Sequence, residues 1–166
     1  MQIGILADTH NQMDNTRKAL DTFAARNVTR LLHCGDITTV AVVELFEGTQ
    51  TTFVFGNMDR FHSDLMNTAK QLMGMGSAGY SYTAELGGAR IAMTHGNDEV
   101  QLLQFVQSGD YDYVFHGHTH RRRDEMVNNT RVINPGALGG RRAESRSICI
   151  LDLETDDLEF IEIADD

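Results

Sequence analysis

The segment Gln2-Ile3-Gly4-Ile5-Leu6-Ala7-Asp8-Thr9-His10 decides the fold class of this 166-residue chain. Its apolar, β-branched part predicts a buried strand that ends at two polar side chains able to bind a metal ion. Two similar apolar runs follow at 29–34 and 51–55, and residues with helical apolar spacing separate the three runs. This alternation of strand and helix over short loops predicts a parallel sheet in the first third of the chain.

Three helix starts can be placed from side chains that cap helices. Asp14 or Asn15 is expected to cap the first helix, and Thr38 or Thr39 the second. A later helix is expected to begin at Asn97. In each case the side-chain oxygen can accept a hydrogen bond from a backbone N–H of the first helical turn.

The second half of the chain is rich in hairpin signals. Turn residues at 87–88, 128–129 and 156–157 separate short runs of apolar and β-branched residues, a pattern typical of antiparallel hairpins. There is no internal repeat, low-complexity segment or linker-like composition. We therefore expect a single α/β domain over residues 1–166 that contains two β-sheets.

The composition limits the class of protein. Apolar residues make up 41% of the chain and charged residues 23%, which is typical of a globular protein. No apolar run approaches the ~18 residues of a membrane span, and the N-terminus lacks the basic segment of a secretory signal. Two cysteines, Cys34 and Cys149, do not make a disulfide framework. We expect a cytoplasmic protein with no membrane partner.

The net charge of −10 is unevenly distributed. Residues 152–166 carry eight acidic side chains and no Lys or Arg, whereas seven arginines and three acids lie between 121 and 146. Because the field at a site is set locally, the acidic total does not exclude an anionic substrate. It argues against broad, non-specific nucleic-acid binding, and duplex nucleic acid is not expected as a partner.

Five predicted strand ends carry side chains that bind metals. They are Asp8-Thr9-His10, Gly35-Asp36, Gly56-Asn57-Met58-Asp59, His95-Gly96 and Gly117-His118-Thr119-His120. The side chains of residues two apart in an extended segment point to the same side, so each Asp-x-His or His-x-His pair can bind one ion or two neighbouring ions. Ligands of open α/β sheets bind beyond such strand ends. Each motif alone is common in turns; their succession predicts a metal centre.

The same series resembles the calcineurin-like metallophosphoesterase superfamily. The length without a cap domain, together with Asn134-Pro135-Gly136, resembles its small bacterial and archaeal phosphodiesterase branch. The resemblance implies a four-layer α/β/β/α sandwich with two mixed sheets and a two-metal centre. The implied ligands are Asp8, His10, Asp36 and His120 for one ion, and Asp36, Asn57, His95 and His118 for the other. Asp36 would bridge the two ions.

A two-metal centre suits phosphate ester hydrolysis. Ions about 3.5–4 Å apart can share a hydroxide and hold one phosphoryl oxygen each. The mixed carboxylate, amide and imidazole ligands suit Mn²⁺, Fe, Zn²⁺ or Ni²⁺ and do not choose between them; Mn²⁺ is the expected ion. The expected catalytic residues are Asp36, Asn57, Asp59 and His95, with Asp59 orienting the ligand-bearing loops. The expected substrate contacts are Asn57, Arg141 and Arg146.

The expected function is a metal-dependent phosphodiesterase acting on a small phosphoester such as a nucleotide. Two alternatives share the fold: a phosphomonoesterase or nucleotidase, and a non-catalytic scaffold like the retromer subunit. Either a monomer or a homo-oligomer is compatible with the sequence.

One position departs from the family pattern. Many metallophosphoesterases carry Gly-Asn-His at the third motif, and that histidine assists the leaving oxygen. Here the position is Met58, which can neither donate a proton nor carry charge. We therefore expect a preference for diesters with aryl or nucleoside leaving groups over alkyl monoesters.

Overall fold

The computed structural model describes residues 1–164 and contains two β-sheets with helices against their outer faces. Asp165 and Asp166, the last two acids of the C-terminal acidic run, lie outside the described residues. The strands are β1 (Gln2–Leu6), β2 (Arg30–His33), β3 (Gln50–Val54), β4 (Ala78–Gly79), β5 (Ser81–Leu86), β6 (Ala89–Thr94), β7 (Tyr113–Phe115), β8 (Arg122–Val127), β9 (Thr130–Pro135), β10 (Ser147–Asp152) and β11 (Asp157–Glu162). The helices are α1 (Met13–Ala25), α2 (Val40–Glu44), α3 (His62–Met73) and α4 (Glu99–Gln107).

The first sheet has the strand order β11-β10-β1-β2-β3-β4. Strands β1 to β4 are parallel, with Leu6 opposite His33 and His33 opposite Phe53. The C-terminal hairpin of β10 and β11 adds to the free side of β1 in antiparallel orientation. The predicted parallel sheet is confirmed, and its carboxyl edge carries the first three polar motifs.

The second sheet has the order β5-β6-β7-β9-β8. Its central strands β6, β7 and β9 are parallel, and the hairpins β5–β6 and β8–β9 add an antiparallel strand at each edge. The expected hairpins are present, and the sheet is mixed. Both remaining motifs follow its central strands β6 and β7.

Apolar side chains fill three separate layers. Phe23 and Phe46 lie between the first sheet and helices α1 to α3. Ile5 and Phe115 belong to the layer between the two sheets, and Val106 of α4 packs on the outer face of the second sheet. Three apolar layers require four layers of secondary structure, which confirms the α/β/β/α sandwich. No helix within residues 1–164 is long and apolar enough to cross a membrane.

The starts of α1 and α4 differ from the sequence prediction. Helix α1 begins one residue after Gln12, so Asp14 and Asn15 lie inside its first turn. The Asn15 side chain instead donates a hydrogen bond to the carbonyl oxygen of Leu138. Helix α4 is capped by Asp98, whose carboxylate accepts from the backbone N–H of Gln101. Both predicted caps were therefore wrong by one or more residues.

Thr39 precedes α2, as the second capping expectation allowed, but its side chain makes no capping hydrogen bond. The hydroxyl of Thr39 donates to Oδ1 of Asn11 instead. This contact joins the β2–α2 loop to the loop after β1, two of the loops that carry the polar motifs.

The sequence prediction missed α3 and β4. The buried face of α3 consists of Leu65 and Ala69, and the helix has no side-chain cap, so neither its periodicity nor its start is marked strongly. Strand β4 has two residues, which are too few to show an alternating pattern. His62, the first residue of α3, and Tyr80, which directly follows β4, line a cavity beside the polar motifs.

Candidate metal centre

The five polar motifs meet at one edge of the sandwich. The backbone N–H of Asp8 donates to the carbonyl of Gly35, and that of Gly117 to the carbonyl of His95. These hydrogen bonds tie neighbouring strand ends to each other within each of the two sheets. Side chains that are up to 112 residues apart in sequence thus converge in a small volume.

One group of side chains consists of Asp8, His10 and His120. Nε2 of His120 lies 3.3 Å from Oδ1 of Asp8, and Nε2 of His10 lies 3.7 Å from the same oxygen. The two Nε2 atoms are 3.2 Å apart. Three atoms this close can bind a single cation.

A second group consists of Asp8, Asp36 and His95. Nε2 of His95 lies 3.4 Å from Oδ2 of Asp36 and 4.0 Å from Oδ1 of Asp8. Oδ2 of Asp36 is also 3.4 Å from Nε2 of His10. Asp8 and Asp36 therefore both reach from one group to the other.

The remaining two expected ligands lie at the border of these groups. The ring centroid of His118 is 5.1 Å from that of His95, and the backbone N–H of His118 donates to Oδ2 of Asp8. Asn57 is exposed, in the loop after β3. Among residues 1–164, His118 belongs to neither of the two tight Asp/His groups, and metal binding by His118 and by Asn57 is a proposal.

Asp59 holds two loops together through its buried carboxylate. The carboxylate accepts hydrogen bonds from the backbone N–H groups of Asp36, Thr38 and Gly56, at 3.1, 2.6 and 2.8 Å. Asp59 thus fixes the loop that carries Asp36 against the loop that carries Asn57. These contacts support a loop-orienting role for this residue.

The residues of both groups fit a bound cation. Oδ1 of Asp8 and Nε2 of His95 are buried and have no hydrogen-bond partner within residues 1–164. A buried polar atom without a partner costs about 1–3 kcal/mol, and a cation at this point would satisfy both atoms at once. The donor set of carboxylates and imidazoles is one that divalent transition metals prefer.

Two imidazole rings are oriented as metal ligands usually are. Nδ1 of His95 lies 2.7 Å from the carbonyl oxygen of Cys34, and Nδ1 of His120 lies 2.7 Å from that of Arg141. A carbonyl oxygen can only accept, so Nδ1 carries the proton in the neutral ring and the lone pair is on Nε2. In both rings Nε2 is the atom that faces the carboxylates, as metal binding requires.

Electrostatics keep both carboxylates ionised. Burial by itself raises the pKa of Asp8, but His10, His120 and His95 outweigh it and lower that pKa to about 2. Burial also opposes ionisation of Asp36, and its contact with His95 lowers its pKa below the usual value. Anionic ligands at neutral pH bind a cation without first losing a proton.

The backbone at the motifs is held in an unusual conformation. Five of the seven expected ligands have positive φ, a region that side chains other than glycine occupy rarely. The values are 54° for Asp8, 45° for His10, 57° for Asp36, 68° for His118 and 57° for His120. Such positions cost of order 1–3 kcal/mol each and cluster at functional sites. The backbone conformation that orients these side chains therefore lowers the free energy of unfolding.

Glycines beside the ligands allow a close approach of the backbone. A Cβ at Gly117 would lie 2.7 Å from Oδ2 of Asp8, and one at Gly56 would overlap Oδ1 of Asp36. Only a residue without a side chain fits at either position. The Gly56-Asn57 and Gly117-His118 pairs in the sequence therefore have a steric explanation.

The two arginines expected to contact substrate occupy different positions. Arg141 is exposed and lines a cavity of about 530 Å³ together with His118 and His120. The guanidinium of Arg146 donates to the carbonyl oxygens of Gly139 and Gly140. Arg146 thus supports a loop that packs against the ring of His120, whereas Arg141 lies beside the centre with its side chain exposed.

Sequence reasoning missed two residues that order the ligand loops. Nδ1 of His33 accepts from the backbone N–H of Gly35, and Nε2 of His33 lies 3.2 Å from Oγ1 of Thr9. Burial lowers the pKa of His33 to about 3, so the ring is neutral. The amide of Asn134 donates to the carbonyl of Gly117 at 2.7 Å. The sequence marks Asn134-Pro135-Gly136 as part of the family resemblance, and the structure shows that the Asn134 side chain holds the loop that carries His118 and His120.

Comparison with known proteins agrees with this arrangement. Residues 1–156 match the family model of the calcineurin-like phosphoesterase superfamily domain. Phosphodiesterase MJ0936 of Methanocaldococcus jannaschii is 35% identical over 156 residues, which are 93% of this chain and 94% of that protein. The solved structure of an archaeal phosphodiesterase has a TM-score of 0.92 and 34% identity, covering 98% of this chain and 99% of its own.

A more distant structure has the fold alone in common. Zinc-bound Vps29 of Entamoeba histolytica has a TM-score of 0.66 at 17% identity and covers 99% of this chain and 100% of its own. The family model and the archaeal relative both span nearly the whole chain, and the five motifs lie inside the matched residues. The chain belongs to the calcineurin-like phosphoesterase superfamily.

Proposed function

We propose that this protein is a metal-dependent phosphodiesterase that hydrolyses small phosphodiesters. The observation that carries the proposal is the pair of overlapping Asp/His groups that share Asp8, in which two buried ligand atoms have no hydrogen-bond partner among the described residues. Membership of a phosphoesterase family and similarity to a relative named as a phosphodiesterase support it.

Two divalent ions are the proposed cofactors, with Mn²⁺ favoured. The residues proposed to hold them are Asp8, His10, Asp36 and His120 for one ion, and Asp36, Asn57, His95 and His118 for the other. When bound, the ions would supply a nucleophile from water and neutralise charge on the phosphoryl oxygens. Oδ2 of Asp36, at 3.4 Å from both His10 and His95, supports its place as the bridging ligand.

The chain's own side chains would hold and orient the ester. The exposed amide of Asn57 can donate to a phosphoryl oxygen beside the centre, and Asp59 fixes the loop from which Asn57 projects. Arg141 borders His118 and His120 and would add a charge-assisted hydrogen bond to the phosphate. Arg146 is proposed to act through the loop that it holds, because its guanidinium already donates to two carbonyl oxygens.

Two further proposals concern the setting of the reaction. A small nucleotide ester is the proposed substrate class, because the cavities beside the centre have the volume of small-molecule sites, about 300–1,000 Å³. A cytoplasmic location is supported by the two cysteines, which are both free and buried, as thiols are in reducing compartments.

The comparison of a diester with a monoester tests the proposed activity. We expect Mn²⁺-loaded protein to release p-nitrophenol from bis(p-nitrophenyl) phosphate at least about tenfold faster than from p-nitrophenyl phosphate. Both esters release the same p-nitrophenolate, so the ratio of the two rates reports the choice between diester and monoester independently of the leaving group. Excess EDTA is expected to stop both reactions.

The alternatives predict other results in the same assay. A faster monoester reaction would identify a phosphomonoesterase or nucleotidase and contradict the proposal. Absence of product from both esters with each of Mn²⁺, Fe²⁺, Zn²⁺ and Ni²⁺ would support a non-catalytic scaffold.

A further inference from the structure

A cavity of about 370 Å³ adjoins the His95 side of the metal centre. Gly56, Asn57 and Asp59 form its wall towards the centre, and Thr94, which directly precedes His95, also lines it. The cavity is bounded by the start of α3, the residues after β4 and the start of α4. If the phosphorus atom of a bound ester lies beside Asn57, a group attached to that phosphorus would therefore enter this cavity.

Three aromatic rings form one wall of the cavity. The rings of Phe55 and His62 are stacked, with centroids 4.7 Å apart. The ring of Tyr80 stands edge-on to both, at 5.5 and 5.2 Å, and its hydroxyl lies 3.1 Å from Nδ1 of His62. Tyr80 is nevertheless 64% exposed. The ring is thus held in place on one side while another side remains accessible, which is the arrangement of a stacking platform.

Polar side chains without full hydrogen bonding form the opposite wall. The Gln101 side-chain oxygen accepts from Thr94, and the side-chain nitrogen has no partner within the described chain. One oxygen of Asp98 accepts from the Gln101 backbone, and the second oxygen is likewise unpaired in residues 1–164. The Asn97 amide adds one acceptor and two further donors. This wall offers donors and acceptors, as recognition of a base edge requires.

The chemistry of the lining excludes other occupants. Within residues 1–164 no lysine or arginine lines the cavity, whereas Asp59 and Asp98 do, so a second phosphate group is disfavoured. An alkyl chain would leave the amide and carboxylate groups of the polar wall desolvated without partners. A flat heterocycle that carries donors and acceptors satisfies both walls.

We propose that this cavity binds the nucleobase of a nucleoside phosphodiester whose phosphorus lies at the metal centre. The inference rests on the proposed phosphodiesterase function and adds the site that would hold the base of the substrate. The base stacks on Tyr80, and its edge forms hydrogen bonds with Gln101 and Asp98. Tyr80 is the specificity-determining residue, because it supplies the exposed ring of the aromatic wall.

Direct binding to Mn²⁺-loaded protein tests the inference without turnover. Isothermal titration calorimetry measures the dissociation constants of adenosine 5′-phosphate and of ribose 5-phosphate, which has the same sugar and phosphate but no base. We expect the adenosine compound to bind at least about tenfold more tightly, since base stacking contributes roughly five- to 150-fold in affinity. Tyr80→Ala should remove most of this preference, and Tyr80→Phe should retain it because the ring remains. Met126→Ala, at an exposed residue of β8, should leave it unchanged.

The result can contradict the inference independently of the enzyme activity. Equal affinity for the two phosphates, or no measurable binding of either, would overturn the nucleobase site even if diester hydrolysis is fast. A preference for the adenosine compound that survives in Tyr80→Ala would place the base elsewhere and would also overturn it. Failure of the proposed phosphodiesterase function would instead appear as absent diester turnover, with Tyr80-dependent binding intact.

Discussion

Replacing Asp36 by alanine is expected to reduce hydrolysis of bis(p-nitrophenyl) phosphate by at least about a thousandfold and to remove most tightly bound metal. Oδ2 of Asp36 lies 3.4 Å from both His10 and His95, so one substitution takes a ligand from both proposed ions. Metal ions contribute several kcal/mol of transition-state stabilisation, and about 4 kcal/mol corresponds to this factor. Turnover and the metal content per chain, by mass spectrometry, are the measurements.

Two further variants make the Asp36 result specific. Asp21→Ala, at an exposed position of α1, removes one carboxylate from the surface and should leave activity and metal content unchanged. Asp36→Asn keeps the shape of the side chain and should lose metal as well, which separates loss of charge from loss of packing. Turnover of Asp36→Ala like that of the unchanged protein would contradict the two-metal assignment.

Met58→His is expected to raise the ratio of monoester to diester turnover by about a hundredfold, the lower end of general-acid catalysis. Met58 is 43% exposed, and its backbone N–H donates to Oδ1 of Asp36 at 2.8 Å. An imidazole at this position would start directly beside the centre and could protonate a poor leaving oxygen. The effect should be largest for alkyl monoesters, whose leaving groups need a proton most. Parallel kinetics on methyl phosphate and bis(p-nitrophenyl) phosphate measure the ratio.

The control for this substitution is Met126→His, which adds the same ring at an exposed position of β8. It should leave the ratio unmoved. If Met58→His also leaves the ratio unmoved while its metal content is normal, Met58 is a packing residue and the proton comes from another source. His62 is one such source, since it lines the cavity that Asn57 borders.

The sequence was sufficient for the elements that have a strong local signal. The strand that ends at Asp8 and the hairpins around glycine or asparagine turns follow from side-chain pattern and turn chemistry. The convergence of Asp8, Asp36 and His95 could be predicted because parallel strands deliver their carboxyl ends to one edge. The structure adds the distances, which make Asp8 common to both groups.

Other features depend on contacts that no local pattern encodes. Asn15 looks like a helix cap in the sequence, but a carbonyl oxygen more than 100 residues away competes for its amide. The sequence predicts that Arg146 contacts substrate, and the structure shows its guanidinium donating to two backbone carbonyl groups of a loop. The sequence carries only weak signals for helix α3 and strand β4. The cavity beside Tyr80 could therefore not be predicted from the sequence. Long-range hydrogen bonds and elements with weak sequence signals are the features that could not be predicted from the sequence.

The most direct test is a crystal structure of the Mn²⁺-loaded protein with an anomalous difference map recorded at the manganese absorption edge. Two peaks about 3.5–4 Å apart are expected, one beside His10 and His120 and the other beside His95, with Asp36 in contact with both. A single peak, or peaks away from Asp8 and Asp36, would contradict the two-metal centre on which the proposed function depends.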